Sequence, residues 1–411
     1  MPSILTKKNL LSSALLILTY LVFLILYNQA LNHLWRGHLE VDTWNYYLKI
    51  ADILKQHSFF TKIGNEIFPA TTIFLLIPGF FVSHAPFNYS AYLSVFFILI
   101  LLTLAYHIFL AAKYASVNHA LMFSLLMLFF GPILLFRFDV LAALLVVLSL
   151  LSFQQKKFLL SALFLGLVTS IKVYPVIFLP YLLLILLNKR RFKLTASYLA
   201  GFSFALILPI FIFLSAGGTI AQITEGLNFH SLKYVSIESL PGSLITLSSV
   251  LTQGYPSQLI GGWGVWGITS PLIKHLGLNF FNEFWVLPVA VFYLILLTKK
   301  SLLAKFNFNV IFSLMLLFLV FSKNLHAQYV WWFLSLFPFL PVKQKSRFKY
   351  LLMFLLLIFI CLFNQLVYPL FYTKFITDFY QYNQAYAVFY CLLLRNLLIV
   401  ILTVVSFQLI L

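Results

Sequence analysis

The sequence predicts an all-α polytopic membrane protein, and three observations carry that prediction. Of 411 residues, 63% are hydrophobic and only 9% are charged, whereas an ordinary soluble domain is about 25% charged. The apolar residues gather in long runs. The 27 Lys and Arg residues stand between those runs in short blocks. A soluble sphere with so few charges could not cover itself with polar surface. A soluble enzyme, a disordered chain and a nucleic-acid-binding domain are therefore excluded, despite a formal net charge of +18. Cys361 and Cys391 lie in apolar runs without CxxC or metal-ligand spacing, which excludes a disulfide framework and a zinc site.

Topology follows from the basic blocks. Lys7-Lys8, Lys113, Lys156-Lys157, Lys189 to Lys193, Lys299-Lys300 with Lys305, and Lys343 to Lys349 contain no acid. The positive-inside rule sets them all in the cytoplasm. The run from Asn9 to Tyr27 lacks a convincing small-x-small cleavage site and reads as an uncleaved first helix. Apolar segments near 10–30, 90–112, 119–136, 139–153, 158–171, 173–188, 194–215, 284–298, 308–322, 327–341, 350–368 and 386–409 then give twelve crossings with both termini inside. A bilayer needs about 20 residues per helix, so the shorter runs borrow flanking residues or lie where the membrane thins. Residues 69–82 (PATTIFLLIPGFFV) do not fit, because a further crossing there would invert every later loop. They read as a re-entrant or interfacial hairpin broken at Pro78-Gly79.

This threading makes one domain of residues 1–411, with outer loops at 31–69 and 216–283. It uses Lys and Arg alone, yet it places all nine acids outside: Glu40, Asp42, Asp52, Glu66, Asp139, Glu225, Glu238, Glu283 and Asp378. Acids weigh little in topology, so their one-sidedness points to a polar site on the outer face. The inverted repeats of many transporters are not evident.

In the first outer loop, Trp44, Tyr47, Leu48, Ala51 and Leu54 fall at helical spacing on one face. Asn45, Lys49, Asp52 and Gln56 fall on the other, the pattern of a helix lying in the membrane interface. Asp42 stands just before it, near the headgroups. It is either an N-cap, worth about 1 kcal/mol, or a general base. Glu40 and Asp42 supply only half of a metal site, so base chemistry ranks higher and a divalent metal is not favoured. In Phe136-Arg137-Phe138-Asp139, either the two charges pair and cap helices, or Arg137 faces an anionic ligand that Asp139 orients. Lys172 ends a short apolar helix before Pro175; it either snorkels to the headgroups or binds a phosphate there. The long outer loop gathers His230, Lys233, Glu238 and Ser239, and loops of that length are usually functional. Lys323, His326, Gln328 and Tyr329 mark another outer turn. Arg395 lies in the last apolar run without an evident partner, a functional candidate with no role assigned.

Taken in order, these motifs form a set. An acid in the first outer loop is followed by an interfacial helix, RFD (137–139), IKVYP (171–175), HSLKYVSIES (230–239) and KNLHAQYVWW (323–332). Together they resemble the GT-C glycosyltransferases, most closely the bacterial polyprenol-phosphate-mannose-dependent mannosyltransferases of glycosyltransferase family 87. The catalytic subunit of GPI mannosyltransferase I is a more distant likeness. The resemblance implies a GT-C fold of about twelve transmembrane helices in a bacterial inner or plasma membrane, with its site on the extracytoplasmic face. It implies a polyprenyl-phosphate-linked sugar donor, most simply mannose, a lipid or glycan acceptor, and inversion at the anomeric carbon. It matches Asp42 to the catalytic acid, and Lys172, His230, Glu238 and Gln328 to polar positions of the later motifs. The chain departs from the family pattern at Lys233, where an Arg is usual, at His326-Ala327, and in reading Glu-x-Asp for Asp-x-Asp.

The residues suit such a transfer. Asp42 takes the acceptor proton. Arg137, Lys172, His230 and Lys323 stabilise charge on the leaving phosphate. Glu40, Asp139, Tyr174, Glu238, Ser239, His326, Gln328 and Tyr329 orient substrates. Neither a cofactor nor a nucleic-acid partner is expected. A transporter or flippase of a lipid-linked sugar is the competing reading, but it would set its ionisable residues near the midplane. A non-catalytic subunit of an envelope assembly complex is the third.

Overall fold

The computed structural model describes residues 3–31, 33–64, 66–82, 88–262, 264–341 and 347–410. Lys343 and Lys345 of the last basic block lie outside the described residues, as do the side chains of Lys7 and Lys8. Helices follow one another as α1 (Ser3–Ala30), α2 (His33–Gln56), α3 (Pro69–Val82), α4 (Tyr89–Tyr114), α5 (Val117–Phe130), α6 (Asp139–Gln154), α7 (Phe158–Ile171), α8 (Leu179–Asn188), α9 (Phe192–Ser215) and α10 (Ile220–Leu232). Strand β1 (Val235–Ser236) precedes α11 (Leu240–Gln253), then β2 (Gln258–Gly262) and β3 (Val265–Thr269). The chain ends with α12 (Pro271–Leu276), α13 (Leu278–Glu283), α14 (Val286–Thr298), α15 (Phe308–Phe321), α16 (Val330–Leu334), α17 (Arg347–Gln365), α18 (Tyr372–Lys374) and α19 (Tyr386–Phe407).

Among the described residues, five stretches are long and apolar enough to cross a membrane: α4, α9, Leu278–Thr298, Arg347–Leu370 and α19. Shorter apolar helices stand among them. The chain is a multi-pass integral membrane protein. Without a hydrophobic drive between helices in lipid, small residues and polar contacts hold the bundle. At Gly166 of α7 a Cβ would stand 2.1 Å from the Phe202 carbonyl of α9, so only glycine lets these backbones meet. Ser149, Ser161 and Tyr198 form a hydrogen-bonded chain across α6, α7 and α9, and Ser313 bonds Ser406 between α15 and α19.

The structure corrects several expectations. Residues 69–82 are one helix rather than a hairpin broken at Pro78-Gly79. Packing of α3 against α2, α4, α7 and α9 carries it past the missing proline donor. Gly79 serves close approach, since a Cβ there would lie 2.5 Å from Ile50 of α2. The helix starts beside the site, where Thr71 bonds the Ile171 carbonyl. Tyr89, the first residue of α4, bonds Thr43 one residue from Asp42.

The expected crossing at 327–341 is a buried chain of short pieces: 3-10 turns at Ala327–Tyr329 and Phe337–Phe339 flank α16. Irregular backbone at such a place is tolerated because protein surrounds it. The expected run at 119–136 ends as a helix at Phe130, where Gly131 takes φ +85° before Pro132. The all-α expectation fails locally. β3 pairs antiparallel with both β1 and β2, giving a three-stranded sheet between α10 and α12.

The first outer loop differs too. Helix α2 begins nine residues before Asp42, so Asp42 is mid-helix and not an N-cap. Its buried side is Leu39, Thr43, Tyr46, Ile50 and Ile53, together with Lys49 from the expected polar face. Lys49 is only 2% exposed, and its ammonium donates to the carbonyls of Ile63 and Gly64 at 3.3 and 2.9 Å.

Candidate active site

A cavity of about 510 Å³ opens among the ends of these helices. Asp42 reaches it from α2, Glu66 from the turn before α3, and Arg137 from the turn before α6. Lys172 comes from the end of α7, His230 and Lys233 from the end of α10, Glu238 from before α11, and His326, Gln328 and Tyr329 from after α15. Residues nearly 290 positions apart thus meet in one place.

Asp42 is held from below. Arg137 Nη1 lies 2.8 Å from its Oδ2. Arg137 is buried; its Nη2 donates to the Tyr368 hydroxyl at 2.8 Å, and that hydroxyl donates to the His38 carbonyl at 2.6 Å. Burial works against the guanidinium charge, but Asp42 together with Tyr368, Tyr46 and Asp139 outweighs it and raises the Arg137 pKa. Arg137 therefore does not pair with Asp139. That carboxylate, buried, accepts from Trp332 Nε1 at 2.8 Å and lies 3.5 Å from Lys172 Nζ. Trp332 is sandwiched between Tyr174 and Tyr329, with ring centroids at 3.9 and 4.1 Å.

Besides Arg137, which is paired with Asp42, the cations on the wall are Lys172 and Lys233. Burial pushes the Lys233 ammonium down to about 8, and repulsion from Lys172 adds to this against Asp42, Glu66 and Asp139. Two mutually repelling ammonium groups on a cavity wall suit an anion. His230 stacks on Phe68 and its Nε2 donates to the Glu66 carbonyl at 3.4 Å. Burial, with Lys233 and Lys172 beside it, lowers its pKa to about 3. It is a neutral imidazole at physiological pH and brings no cation.

Five expected site residues stand off the cavity wall. Lys323 donates to the Ser231 carbonyl at 2.8 Å and to that of Lys233, closing the end of α10. Ser239 caps α11 by accepting from the Gly242 amide at 3.1 Å. Glu40 pairs with Arg36 at 2.7 Å. Residues two apart on a helix do not share a face, so Glu40 and Asp42 cannot form half of one metal site. Asp139 and Tyr174 lie behind the wall in the network just described. Among the described residues, no three His, Cys, Asp or Glu side chains are grouped to hold a metal ion.

Sequence reasoning grouped Lys233 with His230 and Glu238 but gave it no role; the structure sets it on the cavity wall. Glu66, one of the nine outer acids, also lines the cavity, as do Tyr368 and Tyr372, which carried no signal. A further wall is backbone from the β2–β3 hairpin: Gly261, Gly262 and Gly264. A Cβ at these positions would meet Trp266 at 2.9 Å, Tyr234 at 3.0 Å and Phe229 at 3.1 Å, and Gly264 has φ +67°.

Residues 137–253 match the family described as Mannosyltransferase (PIG-M). The match marks an enzyme, a hexosyltransferase. It opens at Arg137 and takes in the RFD, IKVYP and HSLKYVSIES motifs, which together supply Arg137, Lys172, His230, Lys233 and Glu238 to the cavity. This is the GPI mannosyltransferase I type, expected from sequence as the more distant likeness. Such a domain uses a mannose donor and an acceptor. No curated protein matches the chain.

Proposed function

We propose that the chain is an inverting mannosyltransferase that moves mannose from a polyprenyl-phosphate donor to a lipid or glycan acceptor at the extracytoplasmic face. One observation supports this most: the cavity joins a part-exposed carboxylate, Asp42, to two mutually repelling lysines, half-buried Lys172 and buried Lys233. In this reading Arg137 fixes Asp42 by one oxygen and leaves the other for the acceptor hydroxyl. The acceptor oxygen attacks the anomeric carbon while its proton passes to Asp42. The bond from that carbon to the phosphate oxygen breaks, and its electron pair stays on the phosphate. Lys172 and Lys233 neutralise the growing charge, which lessens the need for a metal. The apolar helices hold the polyprenyl chain. The twelve-crossing GT-C arrangement and its outward-facing site belong to the same proposal.

The test supplies radiolabelled polyprenyl-phosphate-mannose and a membrane lipid extract to the chain in nanodiscs. Wild type should move label into a glycolipid, and Asp42→Asn should not. Equal transfer by both removes Asp42 from the mechanism; transfer by neither sinks the mannosyl-donor reading.

A further inference from the structure

Arg395 of α19 is wholly buried, and the transfer just described does not use it. A charge inside an apolar run persists only with polar partners around it. Arg395 Nη2 donates to the Glu238 carbonyl, and Nη1 donates to Asn364 Oδ1 at 3.0 Å. Nε and Nη2 donate to Asn396 Oδ1 at 3.2 and 3.0 Å. The Glu238 carboxylate lies 3.6 Å from Nη1. Both asparagines pass the hold onward. Asn364 Nδ2 donates to the Ala327 carbonyl at 3.2 Å, and Asn396 Nδ2 donates to the Glu238 carbonyl at 3.3 Å.

One cation thus ties together two chain segments that both line the cavity, at Glu238 and at His326-Ala327. The result brings Glu238 Oε1 to 3.8 Å from His326 Nδ1. Glu238 Oε2 is the oxygen that faces Arg395, without a hydrogen bond, and His326 Nε2 is buried and makes none either. Buried polar atoms of this kind need an explanation. A carboxylate repels phosphate, so the phosphate end of a ligand belongs with Lys172 and Lys233. A neutral hydroxyl suits Glu238 and His326, because it can donate to either the carboxylate or an imidazole nitrogen.

We infer that Glu238 and His326 form a subsite for hexose hydroxyls, and that Arg395 is the positioning residue that presets it. This rests on the glycosyl-transfer reading of the cavity. The hydroxyls belong either to the donor hexose or to an acceptor hexose, and the experiment separates the two.

Binding, not turnover, is the readout. In one arm, wild type, Arg395→Met and His326→Asn in nanodiscs are titrated with polyprenyl phosphate and with polyprenyl-phosphate-mannose. In the other, methyl α-mannoside is titrated into the same proteins saturated with polyprenyl phosphate. Wild type should gain affinity from the sugar by about tenfold, the scale of one hydrogen bond to a charged group. Both variants should lose that gain and bind bare polyprenyl phosphate as wild type does. Loss in the first arm assigns the donor hexose; loss in the second assigns the acceptor hexose. His326→Asn leaves the Arg395–Glu238 pair intact, so it answers even if Arg395→Met misfolds. Equal weakening toward the bare lipid, or a sugar gain that survives His326→Asn in both arms, overturns the inference. So does a wild-type chain indifferent to the sugar throughout. Wild-type transfer is scored separately: a sugar gain without transfer sinks the transferase reading and leaves the subsite standing.

Discussion

Two carboxylates on the cavity wall are each held by an arginine from a distant part of the chain, and they are held differently. Asp42 meets Arg137 at 2.8 Å and keeps 36% of its side chain exposed. Glu238 meets Arg395 at 3.6 Å with 5% exposed, against a guanidinium that is fully buried. The same pair of groups therefore does two jobs. A carboxylate left reachable can exchange a proton with a substrate, whereas one sunk into a polar hub can fix the shape of a wall. On the proposed reading, exposure, more than residue type, separates the base from the carboxylate that binds sugar hydroxyls.

The strongest way to break this comparison is to neutralise each carboxylate in turn. Asp42→Asn should cut the transfer rate by about 10²–10⁴-fold, the usual worth of a general base. Glu238→Gln should act mainly on KM. Equal losses of rate in a radiolabel assay would erase the distinction.

A second test moves one wall and spares the other. Gly79→Ala presses α3 into Ile50 of α2, the helix that carries Asp42. Overpacking of this kind costs about 1–3 kcal/mol. Thermal unfolding in detergent should show the loss, and transfer should fall without any change in sugar-dependent binding.

The pH dependence sharpens the picture of the lysines. Burial lowers the Lys233 pKa to about 8. As pH rises from 7 to 9 the ammonium is lost, and affinity for polyprenyl phosphate should fall by about tenfold, the worth of roughly one pKa unit of interaction. Lys233→Arg should flatten that slope. Stability runs the other way. The folded pKa lies below the unfolded value of about 10.4, so the penalty for burying the charge is full below 8 and is relieved as pH climbs from there to the unfolded value. A melting temperature that falls over that window would contradict the burial argument.

The smallest effect concerns Lys323. It closes α10 through two carbonyls and does not reach the cavity. Lys323→Met should cost about 1.5–3 kcal/mol of stability, the range of a hydrogen bond to a charged group. It should weaken lipid-phosphate binding only severalfold, through Lys233. A loss as deep as that of Lys172→Met would restore it to the phosphate site.

Much of this arrangement was legible in the sequence. The segments that the lysine and arginine blocks predict to lie outside supply Asp42, Arg137, Lys172, His230, Glu238, His326, Gln328 and Tyr329 to one cavity. What escaped depends on partners far along the chain. Arg395 has no acidic partner in its own helix, because Glu238 lies 157 positions away. Lys49 fits a polar face until the carbonyls of Ile63 and Gly64 curl over it. Lys323 and Lys233 are equivalent as letters; only the geometry shows that one ammonium is spent on backbone. Composition also overstates helix at 327–341, where an apolar run is simply buried rather than helical throughout.

The glycine wall of the β2–β3 hairpin has a consequence for how such a site can change over generations. Because Gly261, Gly262 and Gly264 each face a ring at 2.9 to 3.1 Å, no single substitution can plant a side chain there without displacing an aromatic neighbour. That wall has little evolvability. New acceptors or sugars must be accommodated by drift at His326, Gln328, Tyr372 and the other side chains around the same space, while the hairpin stays as a fixed ruler against which those changes are measured.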